Sequence, residues 1–299
     1  MSTYSGIPGK RILITGATSG LGLAMARALV AAGAKVLITG RDRAKIDQAV
    51  SSLAARAGEA TRPEDATRPE DAIRPGEAIR PGEAIPPGEC AGALIDVRDE
   101  QSIAGGLAAM VQRWGGIDVL INNAGIGMQT VNPQFLTDPK PFWEVSATGF
   151  RDLIDTNLTG YFLVAKAVVP YFLQNGGGRI INIGVSDSTR KRKGFIPYGP
   201  SRAGTESLSH IMAQDLAAFG VTVNILQPGG ATETGMVPEE FRAQMSTRLL
   251  DADIMAEPVL YLCADESNGL NDEEIIAKDF VPLRPNAKDN RFQETPGRQ

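Results

Sequence analysis

The chain has 299 residues, a formal net charge of −5 and 42% hydrophobic residues, a length that suggests about two domains at roughly 150 residues each. One histidine, His210, and two cysteines, Cys90 and Cys263, exclude a His- or Cys-rich metal site within one chain and any disulfide framework. No run of about 18 apolar residues is free of charge, and the start MSTYSGIPGK has no signal-peptide core, so a soluble cytoplasmic protein with no membrane or nucleic-acid partner is predicted.

The first predicted strand is Arg11 to Thr15, followed by a Gly-rich turn and a helix from Gly20 to Ala32, with Gly33 just past its end. Lys35 to Thr39 is the second strand, and an amphipathic helix runs from Arg43 to about Ala55. Five tandem hexapeptides then fill Ala60 to Glu89: ATRPED twice, AIRPGE twice and AIPPGE. They hold six of the nineteen prolines, and their four Arg against seven Asp and Glu account for −3 of the net charge. Proline every six residues forbids a helix, and three Ile (Ile73, Ile79, Ile85) are too few for a packed β-helix. The tract therefore reads as a disordered or polyproline-like insertion, with a docking segment that tethers a partner as the alternative. Without it 269 residues remain, the size of one α/β domain.

Beyond the repeat, the pattern predicts a strand at Ala93 to Val97, a helix at Asp99 to Trp114, a strand at Ile117 to Asn122 and an irregular stretch to Gly149. A helix from Phe150 to about Leu173, a strand at Arg179 to Ile183, a helix at Pro200 to Phe219 and a strand at Val221 to Leu226 follow. Short apolar strands alternating with helices predict an α/β fold: a doubly wound parallel sheet in a Rossmann-like single domain. That domain spans residues 1–281, interrupted at 60–89, and residues 282–299 form a polar tail.

The turn Thr15-Gly16-Ala17-Thr18-Ser19-Gly20-Leu21-Gly22 joins the first strand to the first helix. Its glycines let backbone approach a pyrophosphate, whose charge the helix N-terminus stabilises. The second strand ends Thr39-Gly40-Arg41-Asp42. A carboxylate directly at the strand end would accept from a ribose 2′-OH, but Gly40 stands there and Arg41 can pair with a 2′-phosphate. NADP(H) is expected over NAD(H), with Asp42 the residue able to blunt that preference.

Together these motifs, with Asp96 and Val97 in Ile-Asp-Val, Asn122-Asn123-Ala124-Gly125, Asn157 in Thr-Asn-Leu, Ser186, Tyr198 and Pro228-Gly229, resemble the short-chain dehydrogenase/reductase family. The resemblance covers Lys10 to about Phe280 apart from the repeat. It implies a NAD(P)(H)-dependent oxidoreductase that interconverts a carbonyl and a secondary alcohol by hydride transfer, on 3-oxoacyl, sugar or ketone substrates. By the same resemblance Asp96 contacts the adenine, Asn122 to Gly125 brace the fourth strand beside the cofactor, and Thr234 holds the nicotinamide carboxamide. It also implies a homodimer or homotetramer paired through the helices Phe150–Leu173 and Pro200–Phe219.

Reducing a carbonyl by hydride needs a proton donor within hydrogen-bond reach of the developing alkoxide. A phenol titrates near about 10, and bringing it to neutrality takes roughly 4 kcal/mol of preference for phenolate. A cation about 4 Å away at an effective dielectric near 20 supplies energy of that order. Tyr198 and Arg202 are i and i+4 at a helix start, which puts such a cation on the tyrosine's face. Ser186, twelve residues earlier, is placed to steady the substrate oxygen, with Ser188 the weaker candidate.

Position 202 departs from the family's Tyr-x-x-x-Lys: the chain reads Tyr198-Gly199-Pro200-Ser201-Arg202. Arginine keeps the charge and can hold ribose, but its fork differs and it does not release a proton into a relay with Asn157 and water. Three outcomes stand open: full activity with adjusted geometry, slow activity, or a cofactor-binding sensor or scaffold with little chemistry.

Arg190, Lys191, Arg192 and Lys193 lie between Ser186 and Tyr198. They read either as a solvated basic loop or as a sign of an anionic substrate. Phe142, Trp143, Val145 and Phe150 are expected to pack the start of the long helix as core, with one or two of them lining the substrate cavity as the alternative, and Gly230 to Asp253 to form a mobile lid. His210 is expected to serve helix packing or the surface, since no nucleophile elbow accompanies it.

Overall fold

Seven short apolar runs pair as one parallel sheet in the computed structural model, which describes residues 4–60, 88–237 and 249–282. The strands are β1 (Arg11–Ile14), β2 (Lys35–Gly40), β3 (Glu89–Leu94), β4 (Val119–Asn122), β5 (Gly178–Ile183), β6 (Val221–Gln227) and β7 (Glu274–Ile276). Their spatial order is β3-β2-β1-β4-β5-β6-β7. β1 and β4 read as unbroken buried runs rather than alternating ones, because helices cover both faces of the sheet.

The helices are α1 (Gly20–Ala31), α2 (Arg43–Ala60), α3 (Glu100–Trp114), α4 (Ala147–Ile154), α5 (Gly160–Asn175), the short α6 (Asp187–Arg190), α7 (Tyr198–Leu216) and α8 (Ala256–Cys263). Met25, Leu29, Leu53, Val259 and Leu262 bury one face of the sheet, while Leu107, Val164, Val168, Phe172 and Leu216 bury the other. The ends of α3 show how locally the sequence sets such an element. Asp99 caps the start by accepting from Gln101 N at 2.8 Å, and Gly115 ends it in the left-handed region at φ 81°.

Several expectations need correction. The third strand is Glu89–Leu94, not Ala93–Val97, so the last residue of the last hexapeptide already pairs with Lys35 of β2. Residues 61–87 of the expected insertion, 238–248 of the expected lid and 283–299 of the expected tail lie outside the described residues. The long helix begins at Ala147, where Ser146 Oγ accepts from Gly149 N at 3.0 Å. It is divided by a π-turn at Asp155–Thr159. Because the cap falls at Ser146, Phe142 and Trp143 sit in a 3-10 turn outside it and pack edge to face on each other rather than in the core. They are 65% and 72% exposed, and Phe150 is exposed as well.

β7 and α8 carry no strong signal in the sequence; α8 has eight residues and β7 three. His210 lies on the surface with Nδ1 2.6 Å from Asp272 Oδ1, as expected. Both cysteines are free thiols, pushed up to about 12 by burial. Among the described residues no helix is long and apolar enough to cross a membrane.

Candidate active site

The strand order reverses between β1 and β4, and the carboxyl ends of the strands there open into a cavity of about 590 Å³. Ligands of such sheets bind at this switch point. The turn after β1 is riveted to the end of β4. Thr15 Oγ1 accepts from the backbone N–H groups of Asn123 and Ala124, both at 3.0 Å. Asn123 Nδ2 donates back to the carbonyls of Thr15 and Gly16, both at 2.9 Å.

The closeness of these segments is what requires glycine. Gly16 has φ 63°, and a Cβ there would lie 2.7 Å from Ala124 Cα. At Gly22 a Cβ would lie 2.5 Å from Asn123 Nδ2 and 2.8 Å from Ala17 Cα. Ser19 caps α1 without a side-chain bond, and the first turn holds no acidic residue. Its N–H groups are thus left for an anion. Thr18, Ser19, Gly20, Leu21 and Gly22 all line the cavity. A cradle of bare backbone ending on an open helix N-terminus fits a dinucleotide pyrophosphate.

At the end of β2, Arg41, Asp42 and Lys45 border the same cavity. Asp42 does not pair with Arg41 among the described residues; its Oδ1 accepts from Lys45 N at 3.2 Å and caps α2. Asp96 and Val97 line the cavity beside β3. Asp96 is chelated by Arg98 at 2.7 and 3.0 Å, and that guanidinium holds its carboxyl below the usual range. Pro228, Gly229 and Thr234 close the opposite side, with Thr234 Oγ1 accepting from Met236 N at 3.3 Å.

Tyr198 is the first residue of α7, and Ser186 immediately precedes α6. Both line the cavity, whereas Ser188 does not. Ser186 Oγ lies 3.1 Å from Ser188 Oγ and 2.9 Å from Thr189 Oγ1. Neighbouring hydroxyls thus orient it. Asn157 sits within the π-turn, fully buried. Its Oδ1 accepts from Ile126 N at 2.8 Å and its Nδ2 donates to Ile126 O at 2.9 Å. Both ends of its amide brace the loop after β4, and its own carbonyl accepts from Thr205 Oγ1 at 3.0 Å.

Arg202 is buried, its guanidinium carbon 5.4 Å from the Tyr198 ring centre and 5.5 Å from that of Tyr161. Nη1 donates to Tyr161 Oη at 3.0 Å and to Ile183 O at 3.2 Å. Burial opposes the charge on Arg202, but the two tyrosines outweigh it and hold the group above the ordinary arginine range. Burial raises the Tyr161 hydroxyl, which stays neutral. A Cβ on Gly125 would lie 2.5 Å from Arg202 Nη2, so the glycine after Ala124 makes room for the guanidinium.

The substrate end of the cavity has an apolar wall of Met128, Phe135, Leu136 and Phe195, the last edge to face with Tyr198 at 6.3 Å. Of the four basic loop residues only Arg192 borders the cavity, its guanidinium carbon 4.7 Å from the Phe195 ring centre. Arg190 pairs with Glu206 and Asp187, and Lys191 with Asp187. Thus the cavity gathers the catalytic and cofactor residues expected from the sequence except Thr15 and Asn157, which brace its wall from behind. The sequence reading missed Tyr161 and Phe195. The i+4 spacing from Asn157 to Tyr161 was the available signal for the first.

A family model described as short chain dehydrogenase matches residues 10–74 and 78–245. The chain is 30% identical to gluconate 5-dehydrogenase of Gluconobacter oxydans, over 79% of this chain and 78% of that protein. Many solved structures resemble it, among them the following two. Actinorhodin polyketide ketoreductase with NADPH gives a TM-score of 0.71 at 26% identity, covering 91% of this chain and 97% of the other. The 3-ketoacyl-(acyl-carrier-protein) reductase from Brucella melitensis, complexed with NADH, gives 0.70 at 25%, with the same coverage of each.

Proposed function

The chain belongs to the short-chain dehydrogenase family and is an NAD(P)-dependent carbonyl/alcohol oxidoreductase, and we propose that it reduces an anionic carbonyl substrate with NADPH, using Tyr198 as proton donor. The observation that carries this reading is the Arg202 guanidinium 5.4 Å from the Tyr198 ring, on the cavity that the glycine cradle also lines. When bound, the nicotinamide supplies the hydride. Tyr198 gives its proton to the substrate oxygen as charge develops there, and Ser186 Oγ donates a hydrogen bond to the same oxygen. Arg202 adds a fixed positive charge beneath the phenol and offers Nη2 to ribose hydroxyls. Since arginine keeps its proton, Tyr198 is reprotonated from solvent rather than through position 202. Asn157 contributes by fixing Ile126 and the loop after β4.

NADPH is favoured because Arg41 faces the cavity while Asp42 is engaged in capping α2. The Arg41→Ala variant is expected to weaken NADPH binding by about 10- to 100-fold, the value of a charge-assisted contact, and NADH by less than about threefold. Fluorescence titration of both cofactors on both proteins tests this, and equal losses for the two would refute the assignment. The same cavity is bound by apolar and aromatic walls with Arg192 as its cation at the substrate end, which suits a carbonyl compound carrying a carboxylate, phosphate or acyl-carrier thioester. Arg192→Ala should raise KM for an anionic ketone by about fivefold and leave a neutral isostere unchanged. Steady-state kinetics on such a pair decides it.

Exposed Phe162 on α5 and Ile211 and Phe219 at α7 and its 3-10 extension support a homodimer or homotetramer paired through these helices. Two unpaired thiols held protonated suit a cytoplasmic setting.

A further inference from the structure

Arg202 is held in a way that a lysine at the same place would not need. Its guanidinium lies between two tyrosine rings, one in the cavity and one in the core. Tyr161 is only 1% exposed and sits at the start of α5, four residues after Asn157. Its Oη accepts from Arg202 Nη1 at 3.0 Å and donates to Ile183 O at 3.4 Å. The same Ile183 carbonyl accepts from Arg202 Nη1 at 3.2 Å. Arginine, phenol and strand-end carbonyl therefore close a triangle at the end of β5, on the side of the guanidinium away from Gly125. Nε is buried and has no hydrogen-bond partner among the described residues, so the plane of the fork is not fixed from that nitrogen.

We propose that Tyr161 is the positioning residue for Arg202, anchoring Nη1 through its hydroxyl and the guanidinium plane through its ring, so that Nη2 stays beside Gly125 for the cofactor ribose and the charge stays beneath Tyr198. The inference rests on the proposed role of Arg202. A planar, five-donor group on a long stem has many rotamers, and a buried one delivers its charge reproducibly only where its partners fix it. The pair Tyr161–Arg202 replaces what a shorter ammonium would do alone. Tyr161 itself touches no substrate: the cavity is bordered by Tyr198 and Arg202 but not by Tyr161.

The test is a double-mutant cycle of Tyr161→Phe and Arg202→Lys, read in the NADPH dissociation constant, in kcat and KM, and in thermal unfolding without cofactor. With Arg202 present, Tyr161→Phe is expected to weaken NADPH and lower kcat by about tenfold each, the worth of one bond to a charged group, with KM for the carbonyl nearly unchanged. In the Arg202→Lys background, the same substitution should change neither by more than about twofold. Equal losses in both backgrounds, or a lower melting temperature with unchanged binding and kcat, would show that Tyr161 only packs the core. If the lysine variant does not fold, isotope-edited NMR of the Arg202 guanidinium in Tyr161→Phe decides: faster rotation and exchange support anchoring, and unchanged spectra overturn it. Binding is read apart from turnover. A chain that binds NADPH and reduces nothing therefore defeats the reductase reading, while the dissociation constants still settle the pairing.

Discussion

Replacing Tyr198 with Phe is expected to lower kcat for carbonyl reduction by about 10³- to 10⁴-fold while changing the NADPH dissociation constant by less than about threefold. The substitution removes one hydroxyl and leaves the ring. The edge contact with Phe195 at 6.3 Å and the Arg202 guanidinium at 5.4 Å both involve the ring. Although the Tyr198 hydroxyl also bonds Arg202, Tyr161 Oη and Ile183 O still hold Nη1, so the cavity wall and the buried cation keep their places. What disappears is the proton that meets the developing alkoxide. Ser186 can still donate a hydrogen bond, but a serine hydroxyl does not give up its proton at neutral pH. Single-turnover reduction with saturating NADPH isolates this step from binding. A loss of only a few fold would make Ser186 or solvent the donor and remove Tyr198 from the chemistry.

The second large effect is expected at Gly22. Alanine there would place Cβ 2.5 Å from Asn123 Nδ2, 2.8 Å from Ala17 Cα and 2.9 Å from Gly16 O. Two of these three atoms are backbone, so no rotamer change relieves the crowding; α1 must move away from the turn. Moving it breaks the bonds from Asn123 Nδ2 to Thr15 O and Gly16 O and opens the cradle for the pyrophosphate. The predicted cost is about 2–3 kcal/mol of folding stability. NADPH binding should weaken by more than about 100-fold, because the open N–H groups of α1 no longer face the phosphate. Gly105 is the control. It lies inside α3 with nothing within 4 Å of an added Cβ, so Gly105→Ala should leave binding unchanged and raise stability by up to about 1 kcal/mol. Urea unfolding and cofactor titration on both variants check the pair.

Much of this architecture was legible in the chain because the information is local. The run Arg11–Ile14, the turn to Gly22 and the helix after it follow from β-branched residues, glycines and 3.6-residue spacing within one stretch. Tyr198 and Arg202 are one helical turn apart, so their pairing needs no knowledge of the rest of the fold. The failures are non-local. Phe142 and Trp143 look like core in a window, but whether a ring is covered depends on where Ser146 starts the helix and on what packs above it. β3 begins at Glu89 because Lys35 lies opposite it in the sheet, a fact carried by the partner strand and hidden by the repeat. The role of Asp42 depended on a cap 3.2 Å away, and that of Arg192 on which of four adjacent cations turns inward. Tyr161 is the clearest case. Its spacing from Asn157 hints at a shared face, yet only the end of β5 and the start of α7, both distant in sequence, make it a partner of Arg202.

The measurement that bears most directly on the central claim is NADPH consumption by the full chain over a panel of ketones, aldehydes and β-keto thioesters, run beside Arg202→Lys and Arg202→Met. Turnover by the native chain on at least one anionic carbonyl, retained within about tenfold by the lysine variant and lost by about 100-fold or more without a cation, is the predicted result. NADPH binding with no turnover of any carbonyl by the native or the lysine protein, or equal rates in the native and methionine proteins, would contradict a reductase built on Tyr198 and the charge of Arg202.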